Sequence, residues 1–318
     1  MLWFSLTQET LLEAPFHAHE RVFKGGVWHG MVEGALAIHA PSLLALLTQG
    51  RGGHQRAFYA LMPPLDDDAL YSASAPRTWS LILYGQACQH WHQILLALLE
   101  PHALKLGHSR VSVRIRKIES LHPQFGTSSI YDMDVGRLGE VAVPIHVALH
   151  DHCPTNGAAL QLLTPVNISL EKLRPMGLHE APIALERWIK ALRRRLSELE
   201  PELAEQFEFD GASWQKQERA LRDVDVASFD LAVLACRWKS RTKSDSVLLR
   251  GQTGRMRFDG EIPARTHALL DLGQWLGIGQ KTTMGFGWYR LLANKDSGAA
   301  NVHIAPPPPA PDYMAQRC

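Results

Sequence analysis

The sequence predicts an α+β protein of two ferredoxin-like (RRM-like) domains in tandem, with a helical insertion in the C-terminal half. Three observations carry this. Short apolar segments alternate with period two, helical segments fall between them in a β-α-β-β-α-β order, and the long βαβ period of a nucleotide-binding parallel sheet is missing. At 318 residues the chain is long enough for two compact domains. The expected division is 1–135 for the first domain, 136–293 for the second, and 294–318 for a Pro/Ala-rich tail with no core-forming pattern.

In the first domain, Trp3 to Leu6 reads as an opening strand and Val27 to Leu47 as a helix broken near Pro41. Arg77 to Tyr84 is a strand, and His90 to Leu99 a helix stopped by Pro101. From Val111 to Ile118, Val111, Val113 and Ile115 point one way while Ser112, Arg114 and Arg116 point the other. That alternation is a half-buried strand offering cations to solvent or a ligand. A hinge is expected near Gly136 to Glu140. Beyond it, Val141 to Ala148 and Ala159 to Leu163 read as strands and Pro182 to Leu199 as a helix that opens an insertion over about 182–222. Phe229 to Trp238 (strand), Gly254 to Gly260 (strand and turn), Ala264 to Leu276 (helix) and Trp288 to Leu292 (strand) complete the second half.

Apolar residues make up 46% of the chain, which excludes a mainly disordered protein. The formal net charge is only +1, so a polyanion would have to be met by local segregation of cations. Cys88, Cys153, Cys236 and Cys318 form no CxxC pair, and the N-terminus carries Glu9 and Glu13 with no basic leader. The stretch Leu81 to Leu99 is interrupted by Gln86, Gln89, His90, His92 and Gln93, so a soluble cytoplasmic protein without membrane contact is expected. No metal or cofactor is expected.

The run Gly277-Ile278-Gly279-Gln280-Lys281-Thr282-Thr283-Met284-Gly285-Phe286-Gly287 lies between a helix and a strand. Its glycines allow positive φ and close approach of amides to a phosphate. Gly279 and Gly285 are candidates for that backbone contact, Lys281 for the charge, and Thr282 and Thr283 for the hydroxyls. A P-loop is excluded because the Gly-Lys pair is missing, and a dinucleotide fingerprint because the run precedes a strand. The plain alternative is a structural turn. Just upstream, Arg237, Lys239, Arg241, Lys243, Arg250, Arg255 and Arg257 are opposed only by Asp245. A solvated face would explain such a stretch by itself; beside the glycine run it favours a polyanion site.

The order Arg237-Trp238-Lys239-Ser240-Arg241, Leu249-Arg250-Gly251-Gln252-Thr253-Gly254, Gly277-Ile278-Gly279 and Gly285-Phe286-Gly287 resembles the C-terminal half of the pre-crRNA-processing endoribonucleases of CRISPR systems, glycine-rich-loop members of the RAMP superfamily. Leu163-Thr164-Pro165-Val166 resembles the element that opens that half, and Phe23-Lys24-Gly25-Gly26-Val27-Trp28-His29-Gly30 the start of the family's first helix. The resemblance spans roughly residues 20 to 292 and is strongest from 159 on. It implies tandem ferredoxin-like domains, recognition of a CRISPR repeat stem-loop, and metal-independent cleavage at the 3′ base of the stem by 2′-hydroxyl attack. A 2′,3′-cyclic phosphate and a 5′-hydroxyl would result. Other CRISPR effector subunits are implied as partners, and the divergent spacing suggests a minor system such as type IV. One departure is Leu276-Gly277, where many relatives carry a histidine.

Such cleavage needs a base, an acid and a cation, and histidine suits the first two near neutrality. The family's histidine in or just after the first helix maps to His29, His39 or His54, among sixteen histidines in the chain. His54 is favoured because Gly50-Arg51-Gly52-Gly53-His54-Gln55-Arg56 puts Arg51 and Arg56 beside it. If no histidine acts, Arg21, Lys24, Arg51 and Arg56 carry the phosphate. On the helix 184–199, Leu185, Trp188, Ile189, Leu192, Leu196 and Leu199 form one face. Arg187, Lys190 and Arg194 form another, which is either solvated or an RNA-facing finger. Trp214, Trp275 and Trp288 are read as core residues before base-stacking ones.

Overall fold

The computed structural model describes residues 1–10, 16–17, 25–48, 57–65, 70–71, 76–107, 110–123, 125–140, 142–145, 154–168, 182–207, 209, 211–239 and 246–292. The chain forms two compact units, one within Met1–His146 and one within Val147–Ala300. Each is a ferredoxin-like α+β unit with an antiparallel sheet, as the sequence predicts.

In the first unit the strands are β1 (Leu2–Thr10), β2 (Phe16–His17), β3 (Tyr59–Met62), β4 (Leu70–Tyr71), β5 (Arg77–Leu83), β6 (Lys105–Leu106), β7 (Val111–His122), β8 (Gly126–Asp132) and β9 (Arg137–Leu138). Its helices are α1 (Gly25–His39), α2 (Pro41–Leu47) and α3 (Trp91–Leu99). The main sheet runs β3-β5-β1-β7-β8-β9, with β6 also on β7 and β2 paired with β4. The inner four strands reproduce the ferredoxin-like order, and β8 and β9 extend the β7 edge. Pro41 divides the two helices as expected: it has no amide to continue the α1 ladder but suits the first turn of α2. Leu2, Phe4 and Leu6 of β1 join Trp28, Val32 and Leu36 of α1 and Ile94, Leu95 and Leu98 of α3 in one buried core.

The second unit contains β10 (Thr155–Val166), α4 (Leu185–Leu199), α5 (Pro201–Gln206), α6 (Ala212–Ala220), β11 (Asp225–Lys239), β12 (Ser246–Ile262), α7 (Ala264–Leu276) and β13 (Tyr289–Leu292). Its sheet order β11-β12-β10-β13 repeats that of the first unit's inner strands. The apolar face read on α4 is the buried one: Leu185, Trp188, Ile189, Leu192, Leu196 and Leu199 are all buried. Trp188 meets Tyr289 edge-on at 5.1 Å, and the Tyr289 hydroxyl donates to the Leu270 carbonyl of α7 at 2.6 Å. The insertion folds back on α4, where Arg193 lies over Phe209 (4.8 Å) and Trp214 (5.2 Å) and donates to Glu218 at 3.1 Å. Trp214 and Trp288 are fully buried and Trp275 is nearly so, which makes them core residues.

Some expectations change. Of the strand expected over 141–148, residues 142–145 form none, Ile145 exchanging backbone hydrogen bonds with Met1 and no described strand continuing the ladder; 141 and 146–148 lie outside the described residues. Gly254 to Gly260 is not a strand and turn but part of the unbroken β12, since β10 and β11 pair with it from both sides. Gly136 sits in the tight β8–β9 turn, with Asp132 opposite Arg137. The segment 294–318 lies outside the described residues.

Burial pushes the Tyr289 phenol well above its ordinary value, with the Asp271 carboxylate adding to the effect. The neutral phenol is therefore the native form. Its stabilising contribution is complete below the ordinary tyrosine range and is lost as pH climbs toward the raised native value. Tyr289→Phe should cost about 1 kcal/mol at pH 7 in urea unfolding. It should also shrink the loss of stability above about pH 10, where unfolded tyrosine ionises. An unchanged alkaline slope would refute this assignment.

Candidate nucleic-acid interface

Three of the segments quoted from the second half, Leu163–Val166, Leu249–Gly254 and the glycine run, converge in space. After Pro165, β10 ends against the glycine run: the Gly287 amide donates to the Pro165 carbonyl at 2.9 Å, and the Trp288 amide to the Thr164 hydroxyl at 3.0 Å. The Gln280 amide donates to the Asn167 carbonyl at 2.7 Å, and the Asn167 side chain donates to the Arg250 carbonyl at 2.7 Å. Gly251 of β12 is so close to Pro165 that an added Cβ would stand 2.7 Å from the proline's Cβ. Asn167 therefore ties the glycine run to the Arg250 segment, a positioning role the sequence reading did not assign. At the other end, the Arg195 Nε donates to the Leu276 carbonyl at 3.2 Å, at the C-terminus of α7, where a cation complements the helix dipole.

Most of the run serves this clasp. Gly277, Ile278, Met284, Gly285, Phe286 and Gly287 all donate their amides within the fold. Gly279 and Gly287 hold φ values of 78° and 87°. A side chain at either would run into the carbonyl of Asn167 or Ile278, so only glycine fits. What faces outward is the tip. Gln280 and Lys281 are exposed, Gly279 and Thr283 are half-buried, and Thr282 and Gly285 are buried. Lys281 has φ 64°, an uncommon left-handed conformation for a lysine.

The other cationic candidates divide by partner. Arg114 and Arg116 stand exposed on β7 as the alternation predicts, but both pair with Glu9 of β1. On α4, Lys190 is held by Glu186 (2.7 Å) and Glu218 (3.2 Å), and Arg194 by Glu198 (2.8 Å). The hydrogen bond from Lys190 keeps the Glu186 carboxyl below its usual range and the ammonium above its own. Arg187 forms no ion pair among the described residues. Arg257 is engaged by Asp259 at 2.8 Å, and Arg255 is exposed. In backbone register, Arg237 faces Leu248 and Lys239 faces Ser246, on a stretch of the β11–β12 ribbon beyond the reach of β10. Arg21, Lys24, Arg51, His54, Arg56, Arg241 and Lys243 lie outside the described residues.

His29 is buried in α1. Its Nδ1 is 3.2 Å from the Tyr59 hydroxyl and its Nε2 is 3.4 Å from Glu33 Oε2, while the Tyr59 hydroxyl donates to Glu33 Oε1 at 3.1 Å. His39 is exposed at the other end of the helix, ten residues or about 15 Å along the axis. The two histidines are not brought together.

The family model of CRISPR-associated endoribonuclease Cas6 matches residues 160–289. No curated protein matches the chain. Among solved structures, a Cas6 product complex aligns over 92% of this chain and 99% of its own, at 16% identity and a TM-score of 0.57. Thermus thermophilus Cas6 covers 92% of this chain and 98% of its own, at 16% identity and a TM-score of 0.53. A partial Cas6-RT-Cas1–Cas2 complex covers 93% of this chain and 46% of its own, at 13% identity and a TM-score of 0.55.

In Lys281→Gly, relief of the left-handed strain should raise stability by about 0.4–1 kcal/mol in urea unfolding. A variant that unfolds more easily would mean that the lysine side chain holds the turn. Residues 160–289 thus match the Cas6 endoribonuclease family model, and along nearly its whole length the chain has the fold of solved Cas6 structures.

Proposed function

We propose that the protein binds the stem-loop of a CRISPR repeat and cleaves the precursor at the 3′ base of the stem without a metal, then retains its product within a larger CRISPR assembly. The observation that carries this reading is the convergence of Leu163–Val166, Leu249–Gly254 and the glycine run on one clasp, which presents Lys281 outward in a strained backbone conformation. The solved Cas6 product complex and the Cas6-RT-Cas1–Cas2 complex support RNA and CRISPR proteins as partners.

In the cleavage step a base removes the 2′-hydroxyl proton and the 2′-oxygen attacks the adjacent phosphorus. The bond to the 5′-oxygen breaks as an acid protonates it. Such acid-base help is worth about 10²- to 10⁴-fold. His54, flanked in sequence by Arg51 and Arg56, is the leading candidate, with His39 next. His29 is committed to Glu33 and Tyr59. That commitment also favours a second reading, a non-cleaving RNA-binding subunit that keeps the clasp but lacks an acid-base pair.

The two readings part in a cleavage assay in EDTA with labelled repeat RNA. Cutting should persist without divalent metal and stop when the nucleotide before the cut is 2′-deoxy. Cleavage that requires metal, or that tolerates the deoxy substitution, refutes the mechanism; tight binding without any cut selects the second reading. His54→Ala should abolish cleavage with binding intact. His29→Ala should lower Tm, because it strips a partner from the buried Tyr59 hydroxyl and the half-buried Glu33 carboxylate. Full activity across the His29, His39 and His54 alanine variants would move the acid-base role to other residues.

A further inference from the structure

One face of the second unit's sheet packs on helices. Leu160, Leu162, Met256 and Tyr289 are buried there, and Tyr289 reaches Trp188 of α4 and Leu270 of α7. Side chains alternate along a strand, so the residues between these stand on the opposite face. Gln161 of β10 is directly opposite Arg255 of β12 on one side and Arg290 of β13 on the other. Directly opposed residues of an antiparallel pair share a face. Arg255, Gln161 and Arg290 therefore form a row across three adjacent strands, on the face that α4 and α7 leave uncovered.

Among the described residues, several other arginines of this unit are occupied by carboxylates, whereas this row is not. Arg193, Arg194 and Arg257 each hold a carboxylate. Neither Arg255 nor Arg290 forms an ion pair among the described residues, although Asp230 is opposite Arg255 in register. Arg255 is exposed, while Gln161 and Arg290 are half-buried. The Arg290 Nε is itself buried, with no hydrogen-bond partner among the described residues. A buried donor without an acceptor is costly unless a ligand supplies one. Strands lie about 4.8 Å apart, so the two arginine backbones are separated by about 10 Å with the glutamine between them. Two guanidinium groups so placed can each hold a phosphate on either side of one nucleotide. The amide between them offers both a donor and an acceptor, which suit the edge of an unpaired base and find no accessible counterpart inside an A-form stem. In the next row along the face, Ala159 stands between Arg257 and Leu292, a small residue beside a site for a flat base.

We infer that the Arg255–Gln161–Arg290 row is a second RNA contact, which takes an unpaired stretch flanking the stem and is separate from the tip at Lys281. This rests on the reading that the protein binds repeat RNA. The test compares binding of two RNAs, the bare stem-loop and the same stem-loop with unpaired extensions, as a function of salt. Arg290→Ala should weaken binding of the extended RNA several-fold and lower its log–log salt slope by about 0.7. The bare stem-loop should be bound by this variant as by the unmodified protein. Arg255→Ala should likewise weaken binding of the extended RNA, Arg290→Lys should keep the slope, and Gln161→Ala should alter preference among extension bases with the slope unchanged. The inference fails if the Arg255→Ala/Arg290→Ala double variant binds extended RNA normally, or if Arg290→Ala weakens both RNAs equally. Lys281→Ala serves as the separate control and should weaken both. If the stem-loop still depends on Lys281 while the extension does not depend on the row, only the row falls. If the unmodified protein binds neither RNA, the repeat-binding reading falls and takes the row with it.

Discussion

Two acceptors at the end of β10, the Pro165 carbonyl and the Thr164 hydroxyl, receive the amides that close the glycine run, and Asn167 extends the same seam to β12. The order of the second unit follows from this seam. It sets where α7 stops and delivers Trp288 and Tyr289 to the core. It also leaves the Gln280–Lys281 tip exposed, with the Gln280 amide anchored to the Asn167 carbonyl. A loop fixed from both sides loses little conformational freedom on meeting a ligand, so its one exposed lysine is already placed.

Charge in this protein is organised by local cancellation. Glu9 answers Arg114 and Arg116, Glu186 and Glu218 answer Lys190, and Glu198 answers Arg194. A chain that is nearly neutral overall can still bind a polyanion if a few cations escape such pairing. On α4, Lys190 and Arg194 are held in ion pairs, whereas Lys281, Arg255 and Arg290 form none among the described residues.

Much of the fold was legible because period and breakers agree. The apolar face of α4, the stop at Pro41 and the alternation on β7 each follow from spacing alone. The strand β8 was not legible: in Gly126–Asp132 only Ile130 is buried, so no two-residue pattern marks it. The site was readable as motifs but not as roles. The glycine run looks like a uniform phosphate cradle in sequence, and only the hydrogen-bond partners reveal that most of its amides serve the fold. Partners distant in sequence were invisible for the same reason. Nothing adjacent to Arg114 announces Glu9, and nothing adjacent to His29 announces Tyr59.

The strand β12 has two mechanical characters. From Gln252 to Asp259 it is flanked by β10 and β11, whereas from Ser246 to Gly251 its only sheet neighbour among the described residues is β11. A two-stranded ribbon has little stability of its own. Amide exchange should therefore be slow in the inner half and fast in the outer half, along one continuous strand. Arg237 and Lys239, opposite Leu248 and Ser246 on that outer stretch, thus stand on a two-stranded extension of the four-stranded sheet, while Arg250 at its base is anchored through Asn167.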